Sequence, residues 1–134
     1  MTRYLSIVEL LKLYRGVMES ARRTANIQKL SMIEVSLARP KACWGRRELY
    51  PTLSRKAVAL CYELVKNAGF AAGNTRTAHA ALETMLVLNG YEIAASVDEQ
   101  ERVMVAVADD RMSEEELTEW VDSRLAPHGE TRVA

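Results

Sequence analysis

Cysteine is scarce in this chain: Cys43 and Cys61 are the only two, too few for a disulfide framework and wrongly spaced for a metal knuckle. Both read as small packing residues of a protein kept in a reducing compartment. Net charge is missing as well. With 18 basic residues against 18 acidic ones, no field of one sign draws the chain onto DNA, RNA or anionic lipid. A plain helical DNA-binding domain is disfavoured on that ground. Long apolar runs are absent too: Glu9 and Lys12 interrupt the opening stretch MTRYLSIVELLKLYRG, which therefore reads as neither signal peptide nor membrane span. No repeat, low-complexity tract or linker divides the 134 residues. The expectation is one cytoplasmic domain, long enough to bury a genuine core.

What the chain does have is helical periodicity with start signals. Ser6 and Glu9, Ser31 and Glu34, Ser96 and Glu99, and Ser113 and Glu116 each have the spacing of a capping box, in which a serine oxygen serves an early helical N–H and the glutamate reaches back. Apolar stripes follow. Ile7, Leu10, Leu11, Tyr14, Val17 and Met18 mark a first helix that runs to Arg22 and Arg23, a solvated basic end or a contact for an acidic partner. A short second helix stops before Pro40. A third starts at Thr52 or Ser54 and turns Leu53, Ala57, Leu60, Cys61, Leu64 and Val65 inward. A fourth closes at Asn89 and Gly90, a fifth buries Val103, Val105, Ala106 and Val107, and a sixth buries Leu117, Trp120, Val121 and Leu125 before Pro127 stops it. The fold class is all-α: one bundle of about six helices over residues 1–126, with residues 127–134 as a fraying tail. The stretch 41–51, with Trp44, Gly45, Arg46, Arg47 and Tyr50, reads as a short hairpin or loop on this scaffold. Its residues either recognise something or, in the case of Trp44, cover a small core.

The centre of the chain is residues 70–90, FAAGNTRTAHAALETMLVLNG, where a glycine-bearing loop runs straight into an apolar helix. Gly73 and Asn74 mark the helix entrance, with unpaired backbone N–H groups and the positive end of the helix dipole, and Thr75, Arg76 and Thr77 lie in its first turn. Such an arrangement can seat a phosphate. It can equally be an ordinary turn with a residue in the left-handed region. His79, inside the helix, reads as a half-buried structural histidine, and His128 as an exposed tail residue.

Phe70-Ala71-Ala72-Gly73-Asn74-Thr75-Arg76-Thr77 resembles the signature loop of the Fic/Doc superfamily, usually His-X-Phe-X-Asp/Glu-Gly-Asn-X-Arg-Thr. The flanks are similar to the Doc branch: residues 37–40 (Leu-Ala-Arg-Pro), residues 48–53 (Glu-Leu-Tyr-Pro-Thr-Leu), Lys56-Ala57 and residues 88–92 (Leu-Asn-Gly-Tyr-Glu). The likeness extends from Tyr4 to about Leu125. It departs at the positions of chemistry: Ala68 stands where the family has its catalytic histidine, Ala72 where it has an acidic residue, and Thr75 where many Doc proteins have lysine.

The resemblance implies an activity of moving phosphate or AMP from ATP or another nucleotide, with Mg²⁺, onto a hydroxyl of a target protein. In that family the histidine is the base, the acidic residue holds Mg²⁺, and the Gly-Asn-X-Arg turn binds phosphate, so Gly73, Asn74, Thr75 and Arg76 inherit the phosphate seat. Alanine at 68 accepts no proton and alanine at 72 coordinates no hard cation. Loss of a general base alone slows such a reaction about 10²- to 10⁴-fold, so the chain as written should be nearly inert. The paired alanines fit either natural loss of catalysis or deliberate replacement. The resemblance further implies a toxin of a toxin–antitoxin pair, with a Phd-like antitoxin as partner, a translation factor such as elongation factor Tu as target, and Trp44, Arg46, Arg47 and Tyr50 in a flap that holds the target. The alternative is a Doc-like adaptor or decoy that acts by protein–protein contact without catalysis. Thr75 and His79 leave phosphoryl against nucleotidyl transfer open.

Overall fold

A computed structural model describes residues 1–129. Six α-helices carry the fold among them: α1 (Ile7–Ser20), α2 (Leu30–Ala38), α3 (Leu53–Asn67), α4 (Asn74–Leu88), α5 (Val97–Ala108) and α6 (Glu114–Arg124). Two small antiparallel pairs complete it, β1 (Cys43–Trp44) with β2 (Arg47–Glu48) and β3 (Tyr91–Ile93) with β4 (Leu125–Pro127). Helix α3 sits at the centre against α2, α4, α5 and α6, and α4 packs in turn on α1, α5 and β3. The shared interior holds Leu10, Tyr14, Ile33, Leu60, Leu82, Met85, Leu86, Val107, Leu117 and Val121, all fully buried. Each large aliphatic side chain there contributes about 1.5–3 kcal/mol. No helix among the described residues is long and apolar enough to cross a membrane.

Three of the four serine caps form as the spacing predicts. Ser6 and Ser113 make complete capping boxes with Glu9 and Glu116, and Ser96 accepts from the Glu99 N–H. The box at Ser31 does not form. Helix α2 begins at Leu30 behind Lys29, with no side-chain cap, because Gln28 and Lys29 already donate their N–H groups to the Gly69 carbonyl at 3.0 and 2.9 Å. Pairing with the loop after α3 thus sets where α2 starts, and local cap chemistry is overridden. Thr52 caps α3, its hydroxyl accepting from the Arg55 N–H. Helix α1 stops at Ser20, earlier than its basic end suggests: Arg22 turns left-handed at φ 54°, and the N–H groups of Arg22 and Arg23 close back on Glu19 and Met18.

Two expectations need correction near the C-terminus. Residues 125–127 are not a helix end and tail but strand β4, in register with Tyr91, Glu92 and Ile93. Three-residue strands show too little alternation to be seen in sequence, and Pro127 is tolerated at the end of an edge strand. Of the expected tail, residues 130–134 lie outside the described residues. Val105, expected inward, is 51% exposed, since it lies about 200° around α5 from the buried Val103.

Candidate functional site

The loop between α3 and α4 is shaped by close contacts that few residues permit. Ala68 ends α3 in the left-handed region at φ 45° and is exposed. Gly69 is buried, and a Cβ there would come within 2.7 Å of Ile33 Cγ1. Phe70 is buried and stacks on Tyr14 with ring centroids 3.9 Å apart. The Tyr14 hydroxyl donates to the Asn26 carbonyl at 3.0 Å and accepts from the Asn26 N–H at 2.7 Å. That same carbonyl accepts from the Ala71 N–H at 2.9 Å. One tyrosine therefore supports the loop from beneath and holds the strap at residues 26–29 that borders it.

Asn74 closes the loop on itself. Its Oδ1 accepts from the Phe70 N–H at 3.0 Å and its Nδ2 donates to the Phe70 carbonyl at 2.9 Å. Gly73, at φ 78°, is the N-cap of α4 and offers no side chain to the first turn. A Cβ there would stand 3.0 Å from Met18 Sδ and 3.4 Å from Val17 Cγ1, so the position favours glycine on both conformation and space. The first helical bond is Thr77 N–H to the Gly73 carbonyl. Among the described residues no partner meets the backbone N–H groups of Ala72, Gly73, Asn74, Thr75 and Arg76. Five adjacent donors at the positive end of a 15-residue helix are a concentrated anion-binding feature. Arg76 is exposed and engages no carboxylate among the described residues. Beneath this turn the Thr77 hydroxyl is fully buried with no partner.

Of the phosphate-seat residues expected from sequence, Gly73, Thr75 and Arg76 therefore present donors outward, whereas the Asn74 side chain is a clasp and contributes only its N–H. Thr75 and Arg76 also border a cleft of about 520 Å³ between α4, α1 and α5, with Val17, Ala80, Met104 and Val105 as its apolar part. His79 lies in the same cleft and is half-buried, as expected of a structural histidine. Its Nε2 is 2.7 Å from Glu83 Oε1 and 2.8 Å from Gln100 Oε1. The hydrogen bond to Glu83 raises the His79 pKa above its ordinary value, burial opposes that, and Gln100 and Glu101 add to the rise.

The stretch 41–51 is a hairpin. Cys43 pairs with Glu48 and Trp44 with Arg47, and Gly45 at φ 62° takes the first of the two turn positions. Trp44 is 81% exposed, which overturns its reading as a lid over a small core. Arg46 and Arg47 are exposed with no ion-pair partner among the described residues. Tyr50, expected to face a target, instead anchors the flap: its hydroxyl accepts from Arg39 Nε at 2.9 Å. Lys56 is 3% exposed, and its ammonium donates to Glu48 Oε1 at 3.0 Å and to the Tyr50 carbonyl. Arg39 also pairs with Glu63 at 3.0 Å and Glu114 at 2.6 Å. Burial works against the Arg39 charge, but the Glu114 hydrogen bond and the field of Glu114, Tyr50 and Glu63 outweigh it and raise its pKa. Sequence reasoning missed these anchors. The one available signal was a lysine at 56 beside Leu53, Ala57 and Leu60 on the inward face of α3.

The geometry and the sequence relationships agree. The model of the Fic/DOC family matches residues 4–86, a segment that includes the flap, the loop and most of α4. The chain belongs to the Fic/DOC family. It is similar to the protein named Toxin Doc from Mycolicibacterium smegmatis, 38% identical over 84 residues. That match covers 61% of this chain and 65% of the relative, so the chain matches a little under two thirds of the relative's length. Within this Fic/DOC protein the donor set is of a kind that suits a phosphate group: five backbone N–H groups and the Arg76 guanidinium, none with a partner among the described residues. It does not fit a protein-held Mg²⁺. Ala72 offers a methyl group, and no cluster of three or more His, Cys, Asp or Glu side chains suited to a metal occurs among the described residues.

Proposed function

We propose that this Fic/DOC protein is the toxin component of a toxin–antitoxin pair, with its nucleotide-phosphate seat retained and its transfer chemistry silenced at Ala68 and Ala72. The observation that carries the reading is the run of backbone N–H groups from Ala72 to Arg76, with the Arg76 guanidinium beside it, none of which meets a partner among the described residues. Such donors stabilise the charge of a bound polyphosphate and of a phosphoryl group in transfer, in a frame fixed before the ligand arrives. The relative's name supports the toxin class; a toxin of that class works against an antitoxin partner, and the partner in this reading is of the Phd kind.

In the restored protein, attack by a target hydroxyl on a nucleotide phosphorus needs a base for the hydroxyl proton. Position 68 is suited to hold one, since it is exposed at the mouth of the loop and already left-handed, a conformation in which histidine is enriched over most residues. In the present chain no proton acceptor stands there. The target is a protein, a translation factor such as elongation factor Tu, and the flap presents it. Whether phosphate or AMP is moved is decided by label position. Ala68→His with Ala72→Asp, incubated with cell lysate, Mg²⁺ and ATP labelled at either the α- or the γ-phosphate, should label one protein band and arrest growth when expressed. A restored chain that transfers neither label and leaves growth unchanged would refute the toxin reading.

A second reading draws on the flap. Trp44 at 81% exposure beside the exposed Arg46 and Arg47, which have no ion-pair partner among the described residues, is a protein-binding feature in its own right, and would serve an adaptor or decoy without catalysis. On that reading, partner binding survives Arg76→Ala and is lost in Trp44→Ala.

A further inference from the structure

We propose that Arg39 is a positioning residue that fixes the flap relative to the signature loop, through Tyr50 on one side and through Glu63 and Asn67 on the other. The proposal rests on the flap being the element that faces the target. Arg39 opens the 3₁₀ turn Arg39–Lys41 between α2 and the flap, where Pro40 holds the backbone. Its planar fork reaches three separate parts of the fold: the end of the flap, α3 and α6. Nε donates to the Tyr50 hydroxyl at 2.9 Å, and one terminal nitrogen meets Glu63 Oε2 at 3.0 Å and the Ala59 carbonyl at 3.3 Å. The other terminal nitrogen donates to Glu114 Oε1 at 2.6 Å, at the start of α6. The guanidinium carbon lies 5.1 Å from the centre of the Tyr50 ring.

Glu63 continues the chain of contacts. Its second oxygen, Oε1, accepts from Asn67 Nδ2 at 3.2 Å, and Asn67 Nδ2 also donates to Ser36 Oγ at 3.2 Å. Asn67 is the last residue of α3, directly before Ala68. A continuous polar path therefore runs from the base of the flap to the residue that precedes the family's base position. Lys56 is a second tether, but it reaches only Glu48 and the Tyr50 carbonyl. Among the described residues, Arg39 alone connects the flap to Glu63 and onward to the loop. A lysine at 39 supplies a point charge without the fork, so it cannot serve Tyr50, Glu63 and Glu114 together.

Hydrogen–deuterium exchange on the chain as it stands tests this without any nucleotide. In Arg39→Lys, peptides over 42–50 and 66–71 should exchange roughly tenfold faster, as expected when a charged hydrogen-bond network is cut. Peptides over 81–86 in the α4 core should keep their protection. Tyr50→Phe, which removes one hydroxyl and leaves the fold's other contacts, should loosen 42–50 alone. Unchanged flap and loop exchange in both variants, or an equal rise across every peptide, would overturn the proposal. A second arm uses the Ala68→His, Ala72→Asp chain, where Arg39→Lys should raise KM for the protein acceptor about tenfold and leave KM for the nucleotide alone. An equal rise in both would also overturn it. Failure of the restored chain to transfer at all refutes the proposed function, and Arg39 is then judged on exchange.

Discussion

Asn74→Ala tests whether the carboxamide of Asn74 is a clasp or a free phosphate ligand. Both of its hydrogen bonds go to the backbone of Phe70, which is 2% exposed, so truncation strands a buried N–H and a buried carbonyl that water cannot easily reach. Each lost bond removes about 0.5–1.5 kcal/mol, and a buried group left without a partner pushes the loss toward the upper end, giving about 2–3 kcal/mol in all. An unfolding entropy of roughly 2.1 cal/mol/K per residue gives about 0.28 kcal/mol/K for a chain of this size, so Tm should fall by about 7–11 °C. Asn74→Asp keeps the acceptor for the Phe70 N–H and places negative charge at a helix N-terminus, but sets an oxygen against the Phe70 carbonyl. It should lose about half as much. Urea titrations with a shared m-value, alongside scanning calorimetry, measure both. A loss under about 0.5 kcal/mol for Asn74→Ala would mean that the side chain is free in solution, and the clasp would be refuted.

Other consequences are checked as directly. Ala68→Gly should raise stability by about 0.5–1 kcal/mol, because the strain of alanine at φ 45° exceeds the extra chain entropy of glycine in the unfolded state; a destabilised variant would contradict the assigned backbone. A thiol reagent should label the exposed Cys43 in the native protein and leave Cys61 untouched until unfolding, since complete burial pushes the Cys61 thiol up to about 12. His79 has a folded pKa above its ordinary 6.5, so its pairing with Glu83 stabilises fully below that value and fades as pH rises through the folded pKa. The stability difference between the parent and His79→Gln, measured at about pH 5.5 and 8.5, should therefore shrink at the higher pH. A difference that does not change would remove the coupling.

Much of the fold is written locally. The serine caps at 6, 96 and 113, the threonine at 52 and the left-handed Gly90 start and stop helices by chemistry within one turn, and each is visible as a short pattern. What fails is decided by distant partners. Ser31 loses its capping role because the Gly69 carbonyl captures the chain ahead of it, and β3 with β4 is a pairing across more than thirty residues that neither strand announces. The site divides the same way. The glycine at 73 and the arginine at 76 follow from the motif, but the motif does not reveal that Asn74 turns back on Phe70, nor that Tyr14 from α1 supports the loop. The charged anchors are the least legible of all. Arg39 and Glu63 look in sequence like ordinary surface residues, Lys56 is marked only by its place on the inward face of α3, and only their mutual geometry makes them anchors of the flap.

Backbone amides observed by nitrogen-15 NMR during titration with pyrophosphate, and then with ATP, read the seat itself. Residues 72–76 should move first and together, with a dissociation constant of about 0.1–1 mM, and the response should weaken at high salt and in Arg76→Ala. Shifts centred on any other part of the chain, or none at such concentrations, would contradict the assignment of this turn as the place where nucleotide phosphates bind.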